Sequence, residues 1–266
     1  LCASATFLAS VAHAAEFFVD PAVGTPTGDG SAASPWQRID AVIAAGAFGA
    51  TIKAGDTVWL RTGYHGALAI KSGNYTPAIT IAAAAGEKPT LSRVTFNATQ
   101  GWVLAGMSIS PSYAPTPTVD DMVLVDTSSA RVTVKDCDLF SVKDTSAWGA
   151  TEWINAASSG IFVRGKNVTV SNNSLTNVRF GISVDGTDAL IDGNRIVNFS
   201  ADGLRGLGDN GVFQYNLVKN AYVSGDDGDD NHDDGIQSWS TGADGPGSGV
   251  VKGIVLRGNV FINRED

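Results

Sequence analysis

The sequence predicts an all-β chain wound as a parallel β-solenoid with a short helical cap at its amino-terminal end. Three observations predict it: a repeat of 21–22 residues through the second half, short alternating apolar runs inside each repeat, and 31 glycines among 266 residues, against an ordinary share of ~7%. The same composition excludes other classes. Charged residues make up 17% and hydrophobic residues 43%, whereas disordered chains are poor in apolar residues and rich in charge. The glycines follow no three-residue period, so the chain is not collagen-like. The net charge is −9, and six of the negative charges fall in one run, Asp226, Asp227, Asp229, Asp230, Asp233 and Asp234. The body is therefore nearly neutral and the acidity local, which argues against nucleic acid as a partner because that needs a basic surface.

Residues 1–15, LCASATFLASVAHAA, carry no acidic or basic charge and end on the small-x-small pattern Ala12-His13-Ala14. They read as the remnant of a secretory signal peptide, too short to span a bilayer. The expected location is therefore secreted or periplasmic, with no membrane span. Cys2 would leave with the signal, and Cys137 would then stand alone with no intrachain disulfide. Residues 16–266 are expected to form one domain, with the run 259–266 stopping in mid-domain.

Within that domain, residues 35–47 predict a helix that caps the solenoid's open end, where core and unpaired strands would otherwise be exposed. Coils are expected from about Asp56 onward. The clearest repeats are GIFVRGKNVTVSNNSLTN from Gly160, GISVDGTDALIDGNRIVN from Gly181 and GLRGLGDNGVFQYNLVKN from Gly203. A fourth unit begins at Gly235, and a weaker copy begins at Met122. Alternation over a few residues means strands with one buried face, and each unit shows two such runs. Residues 141–158 break the repeat and are expected to bulge out with Trp148 and Trp153. Asn173, Asn194, Asn216 and Asn259 share one phase, with Cys137 in the early copy. Stacked asparagines can satisfy buried turn backbone, so these read as structural.

The opening segments Phe18-Val19-Asp20-Pro21, Gly28-Asp29-Gly30-Ser31 with Pro35-Trp36, and the runs 55–64 and 79–89 resemble the start of secreted right-handed parallel β-helix proteins of the pectate-lyase-like superfamily. The resemblance implies a right-handed coil and action on polysaccharides. It leaves the substrate open, because that fold hosts lyases, hydrolases, epimerases, esterases and binding proteins.

Aligning the repeats on their glycines places Ile161, Ile182, Leu204 and Ile236 inward and Phe162, Ser183, Arg205 and Gln237 outward. Arg164, Asp185, Leu207 and Trp239 face outward two residues later, and Asp202 and Asp234 precede their glycines. Arg164, Asp185, Gln237 and Trp239 are therefore expected to bind substrate, since an aromatic covers a sugar face and charged or amide groups take hydroxyls and carboxylates. Arg205, His232, Asp202 and Asp234 are expected to converge as catalytic residues. Asp226, Asp227, Asp229, Asp230 and Asp233 form an acidic loop able to hold Ca²⁺, which takes 6–8 oxygen ligands; a solvated acidic insertion is the alternative. Asp230-Asn231-His232-Asp233 also resembles the D-P-H-D element of β-helix mannuronan C5-epimerases, with Asn in place of Pro, which implies a role for His232 near the reacting sugar. His65 reads as structural.

The leading expectation is a monomeric polysaccharide lyase acting on a uronate polymer by β-elimination. That reaction needs the substrate carboxylate neutralised, by Ca²⁺ or arginine, and a base; Arg205, Arg164 and Lys219 are candidates for either role, with His232 as acid/base. A glycoside hydrolase using Asp202 and Asp234, a uronate C5-epimerase, or a non-catalytic glycan-binding surface protein are the alternatives.

Overall fold

Short β-rich runs separated by turn residues cannot bury both faces locally, so each coil stacks on the next. The computed structural model describes residues 14–222 and 233–265. Nearly all described strands lie in three all-parallel sheets of nine, seven and eight strands, making a right-handed parallel β-helix. A complete coil contributes one strand to each sheet. For the repeat at Gly160 these are Ser159–Val163 in the seven-stranded sheet, Thr169–Ser171 in the nine-stranded sheet and Ser174–Val178 in the eight-stranded sheet. The third strand escapes a search for alternation because a left-handed Asn177, φ 55°, interrupts it.

The inward phase holds as expected. Ile161, Ile182 and Leu204 are paired coil to coil and buried in one core with Val170, Ile191 and Phe213. The repeat glycine is required by the stacking. A Cβ at Gly181 would lie 2.2 Å from the carbonyl oxygen of Gly203, and one at Gly160 would lie 2.4 Å from that of Gly181.

The asparagine phase forms a continuous ladder. Asn194 Oδ1 accepts from the backbone N–H of Asn173 at 3.0 Å, and Asn194 Nδ2 donates to the Val170 carbonyl at 2.9 Å. Asn216 repeats this beneath Asn194, and Asn259 beneath Asn216. At the other end Asn173 Oδ1 accepts from the Cys137 N–H. Each side chain thus caps turn groups that would otherwise be buried without partners. A second row, Asn177, Asn198 and Asn220, follows the third strand, with Asn198 Nδ2 donating to Asn177 Oδ1 at 2.9 Å.

The amino-terminal end differs from expectation in two ways. Coiling begins at strand Glu16–Val19, which pairs in parallel with Thr57–Leu60, and not at Asp56. The helix, α1, is only Ile39–Ala44, burying Ile39 and Val42. Trp36 is drawn out of it into extended bridges with Val19 and Thr25, and its ring stacks on Phe17 at 5.4 Å. Gly30, at φ +81°, is needed there because a Cβ would stand 2.7 Å from the Trp36 ring. Residues 141–158 do leave the coil. They carry a second helix, α2, Ala150–Asn155, whose buried Trp153 stacks on Tyr222 and meets Trp148 edge-on.

Candidate functional site

The outward face of the seven-stranded sheet gathers most of the charged groups expected there. Register places Phe162, Ser183, Arg205 and Gln237 in one row across four coils. The residues before the repeat glycines form a second row. The N–H groups of Gly160, Gly181 and Gly203 donate to the carbonyls of Phe180, Asp202 and Asp234. Strand pairing extends this row from Ser159 to Asp121.

Arg205 is held on two sides. Its Nε pairs with Asp202 Oδ2, and its guanidinium lies 4.1 Å from the Phe180 ring centroid. Nη2 donates to Gln237 Oε1 at 3.4 Å, and Trp239 Nε1 donates to the same oxygen at 3.1 Å. Asp202 itself has no exposed side-chain surface. Its Oδ1 accepts the backbone N–H of Asp234 at 3.2 Å. Burial pushes the Asp202 carboxyl above its ordinary range, and Arg205 partly offsets this. Asp202, expected as a catalytic residue, is thus buried with both carboxylate oxygens engaged, one by Arg205 and one by the Asp234 N–H.

Arg164 repeats the arrangement, with its guanidinium 4.6 Å from the Phe162 ring and its Nε 3.7 Å from Asp185 Oδ2. Asp185 feels both Arg164 and Arg205, yet desolvation keeps its carboxyl raised. Asp121 is also raised, first by burial and then by Asp120, against the pull of Arg93 and Arg164. Asp121, Phe162, Phe180, Ser183, Asp185 and Arg205 help line an open groove of about 210 Å³. It presents Arg205 on an aromatic platform, with Arg164 stacked on neighbouring Phe162, beside carboxyl groups biased toward protonation. That combination suits an anionic, hydroxylated ligand and proton transfer to or from it.

The structure thus brings Arg205, Asp202, Asp234, Gln237 and Trp239 together, with Arg164 and Asp185 on adjoining coils. His232 and Asp226, Asp227, Asp229 and Asp230 lie outside the described residues. Asp233 is described and half-buried at the start of the last coil of this sheet. Among the described residues no group of three or more His, Cys, Asp or Glu side chains is placed to hold a metal ion. Lys219 does not join the groove; it sits in strand Leu217–Ala221 of the eight-stranded sheet, paired with Glu265. Sequence reasoning missed Asp121, although it immediately precedes Met122, where the early repeat copy starts. Phe162 and Phe180 stood in the aligned phases, but their service as arginine platforms depends on packing.

No family model matches the chain, and no curated protein matches it. Solved structures do. A rhamnogalacturonan lyase superposes with a TM-score of 0.67 at 13% identity, covering 92% of this chain and 68% of its own. Pectate lyase Pel9A gives 0.57 at 12% identity, covering 83% and 57%. A lacto-N-biosidase from Eubacterium ramulus gives 0.51 at 10%, covering 93% and 56%. The chain spans little more than half the length of the latter two. At these identities the likeness establishes the parallel β-helix fold.

Proposed function

We propose that the chain is a secreted, polysaccharide-active enzyme whose groove on the seven-stranded sheet takes a uronate-containing polymer and cleaves it by β-elimination. The observation that carries this reading is Arg205, locked between buried Asp202 and the Phe180 ring with Nη2 donating to the neighbouring Gln237. An arginine fixed in this way can meet a substrate carboxylate without first paying to be ordered. Neutralising that carboxylate acidifies the adjacent C5 proton, and a base then removes it while the 4-linked oxygen departs. Arg164 offers a second cation one coil-pair away. His232 and Ca²⁺ on the acidic loop remain part of the proposal, His232 as acid/base and the ion as a further carboxylate neutraliser. The folds that superpose include a rhamnogalacturonan lyase and a pectate lyase, which supports the substrate class.

A second reading, glycoside hydrolysis, is favoured by one observation. Asp121 and Asp185 share the groove and both have raised carboxyl pKa values, as a general acid requires. The deciding experiment is incubation with a panel of uronate and neutral polysaccharides, with and without Ca²⁺. New ultraviolet absorbance from an unsaturated uronate supports the lyase, and new reducing ends without it support the hydrolase. Arg205→Ala should lower turnover by at least ~100-fold in the lyase case. Near-normal turnover would move the chemistry away from this groove.

A further inference from the structure

The groove on the seven-stranded sheet crosses successive coils. Of its lining residues, Asp121, Phe162, Ser183 and Arg205 come one from each of four strands that pair in parallel in that order. A polymer lying along it therefore follows the solenoid axis and meets one coil every ~4.8 Å, close to the length of one hexopyranose unit in an extended chain. The charges on this face alternate at the same step. Asp121 opens the strand Asp121–Val125. Arg164 directly follows the next strand, Ser159–Val163, and Asp185 directly follows Ile182–Val184. Arg205 lies in the strand after that, Leu204–Gly206. The members of this row act on one another: Asp121 feels Arg164, and Asp185 feels both Arg164 and Arg205.

Arg164 and Asp185 keep capacity for a ligand. Their side chains are 47% and 37% exposed, and Arg164 Nε stands 3.7 Å from Asp185 Oδ2, beyond the ~2.7–2.9 Å of a charge-assisted hydrogen bond. The Phe162 ring supports the Arg164 guanidinium at 4.6 Å, as the Phe180 ring supports that of Arg205 at 4.1 Å. Between the two arginine-bearing coils lies one whose polar groove residues are Ser183 and Asp185. A carboxylate over that middle coil would face a like charge, whereas a sugar hydroxyl can donate to Asp185 and exchange hydrogen bonds with Ser183. One coil to either side, a carboxylate meets an arginine.

We propose that the groove selects a polymer in which uronate and neutral sugars alternate. Arg205 and Arg164 take the carboxylates of two uronates, and Asp185 with Ser183 takes hydroxyls of the neutral sugar between them. This selectivity rests on the reading of the groove as a site for a uronate polymer, and adds the order of units along it. A polymer of uronates alone would set its middle carboxylate against Asp185. A polymer of neutral sugars alone would engage neither arginine by charge.

The test is calorimetric titration of the whole chain in buffer containing Ca²⁺ at about pH 8, well above the ordinary carboxyl range. Tetrasaccharides alternating galacturonate with rhamnose, and glucuronate with N-acetylglucosamine, are compared with tetragalacturonate. At least one alternating probe should bind about tenfold or more tightly than tetragalacturonate, the size of one contact exchanged for a repulsion. Arg164→Gln should weaken that probe by about tenfold, the counterpart of one hydrogen bond to a charged group. Asp185→Asn should strengthen tetragalacturonate by about tenfold, because the like charge is gone while an acceptor oxygen stays. Melting curves of both variants check that the fold is intact. Tetragalacturonate binding as tightly as the alternating probes, or an affinity ratio unmoved by Asp185→Asn, overturns the alternation. No binding by any probe at ~10 mM, above the Kd of a millimolar site, overturns it together with the polymer reading of the groove. Cleavage is read separately, from unsaturated product. Preferential binding of an alternating probe without product keeps the alternation and removes the lyase. Unsaturated product from tetragalacturonate that binds equally well keeps the lyase and removes the alternation.

Discussion

Arg205→Ala is expected to destabilise the protein as well as disable the groove, and the size of the effect follows from Asp202. That carboxylate has no exposed side-chain surface, and Arg205 Nε pairs with it. Removing one member of a buried pair typically costs ~3–5 kcal/mol, because a buried charge is left uncompensated. Loss of the stacking of Arg205 on Phe180 adds roughly 0.5–2 kcal/mol. For a chain of this size the melting temperature should fall by about 7–28 °C at neutral pH. The penalty should also depend on pH. The Asp202 carboxyl is already raised by burial, so its folded form holds a proton more tightly than the unfolded chain does. Its contribution is therefore fully present below the ordinary carboxylate pKa and lost as pH rises through the raised value. Without Arg205 that value moves higher still, so the gap between variant and native protein should narrow on acidification. Asp202→Asn added to Arg205→Ala should recover part of the loss, since asparagine carries no charge and its oxygen still accepts the Asp234 N–H. Urea unfolding followed by circular dichroism, from about pH 4 to 7 across the raised carboxyl range, measures all three chains. A loss under ~1 kcal/mol, or a gap that does not change with pH, would refute the buried-pair account.

Other perturbations test the scaffold. Asn194→Ala strands the Asn173 N–H and takes the Nδ2 donor from the Val170 carbonyl, so it should cost ~2–5 kcal/mol; Asn259→Ala, in the last described turn and less buried, should cost clearly less in the same urea assay. Gly181→Ala would force a Cβ to 2.2 Å from the Gly203 carbonyl, and a melting scan should show one of the larger losses of any single methyl addition. The Cys137 thiol is buried and pushed up to about 12, so a thiol reagent at neutral pH should label it only after denaturation; rapid labelling of the folded chain would show that the core opens there.

Much of the fold was legible because a solenoid repeats one local environment. The inward phase of Ile161, Ile182 and Leu204, the corner glycines and the Asn173–Asn194–Asn216–Asn259 row each recur at the coil spacing, so the requirement prints itself on the sequence several times. What recurs once does not. The strand Glu16–Val19 has no sister repeat nearby, and its partner Thr57–Leu60 lies beyond α1 and a loop, so the first coil was read too late. In the repeats from Gly160, Gly181 and Gly203 the third strand was hidden by its left-handed asparagine, Asn177, Asn198 or Asn220. In the site, the row containing Arg205 and Gln237 was legible from phase, while Asp121 was overlooked at the start of a weak copy.

By itself the sequence determined the periodic facts: an all-parallel coil of about twenty-two residues, its inward and outward phases, its ladders, and a charged outward face. These follow from local geometry, since side-chain direction alternates along a strand and equivalent positions stack at a fixed spacing. Only the tertiary structure decided what each outward group does. Asp202 and Arg205 share that face, but packing between stacked coils buries the carboxylate against an arginine and a backbone N–H and leaves the guanidinium against Phe180. His65 was read as structural from its distance along the chain. The folding of residues 21, 37–38 and 64–66 around one pocket is a property of three segments meeting in space, and no spacing within the chain encodes it.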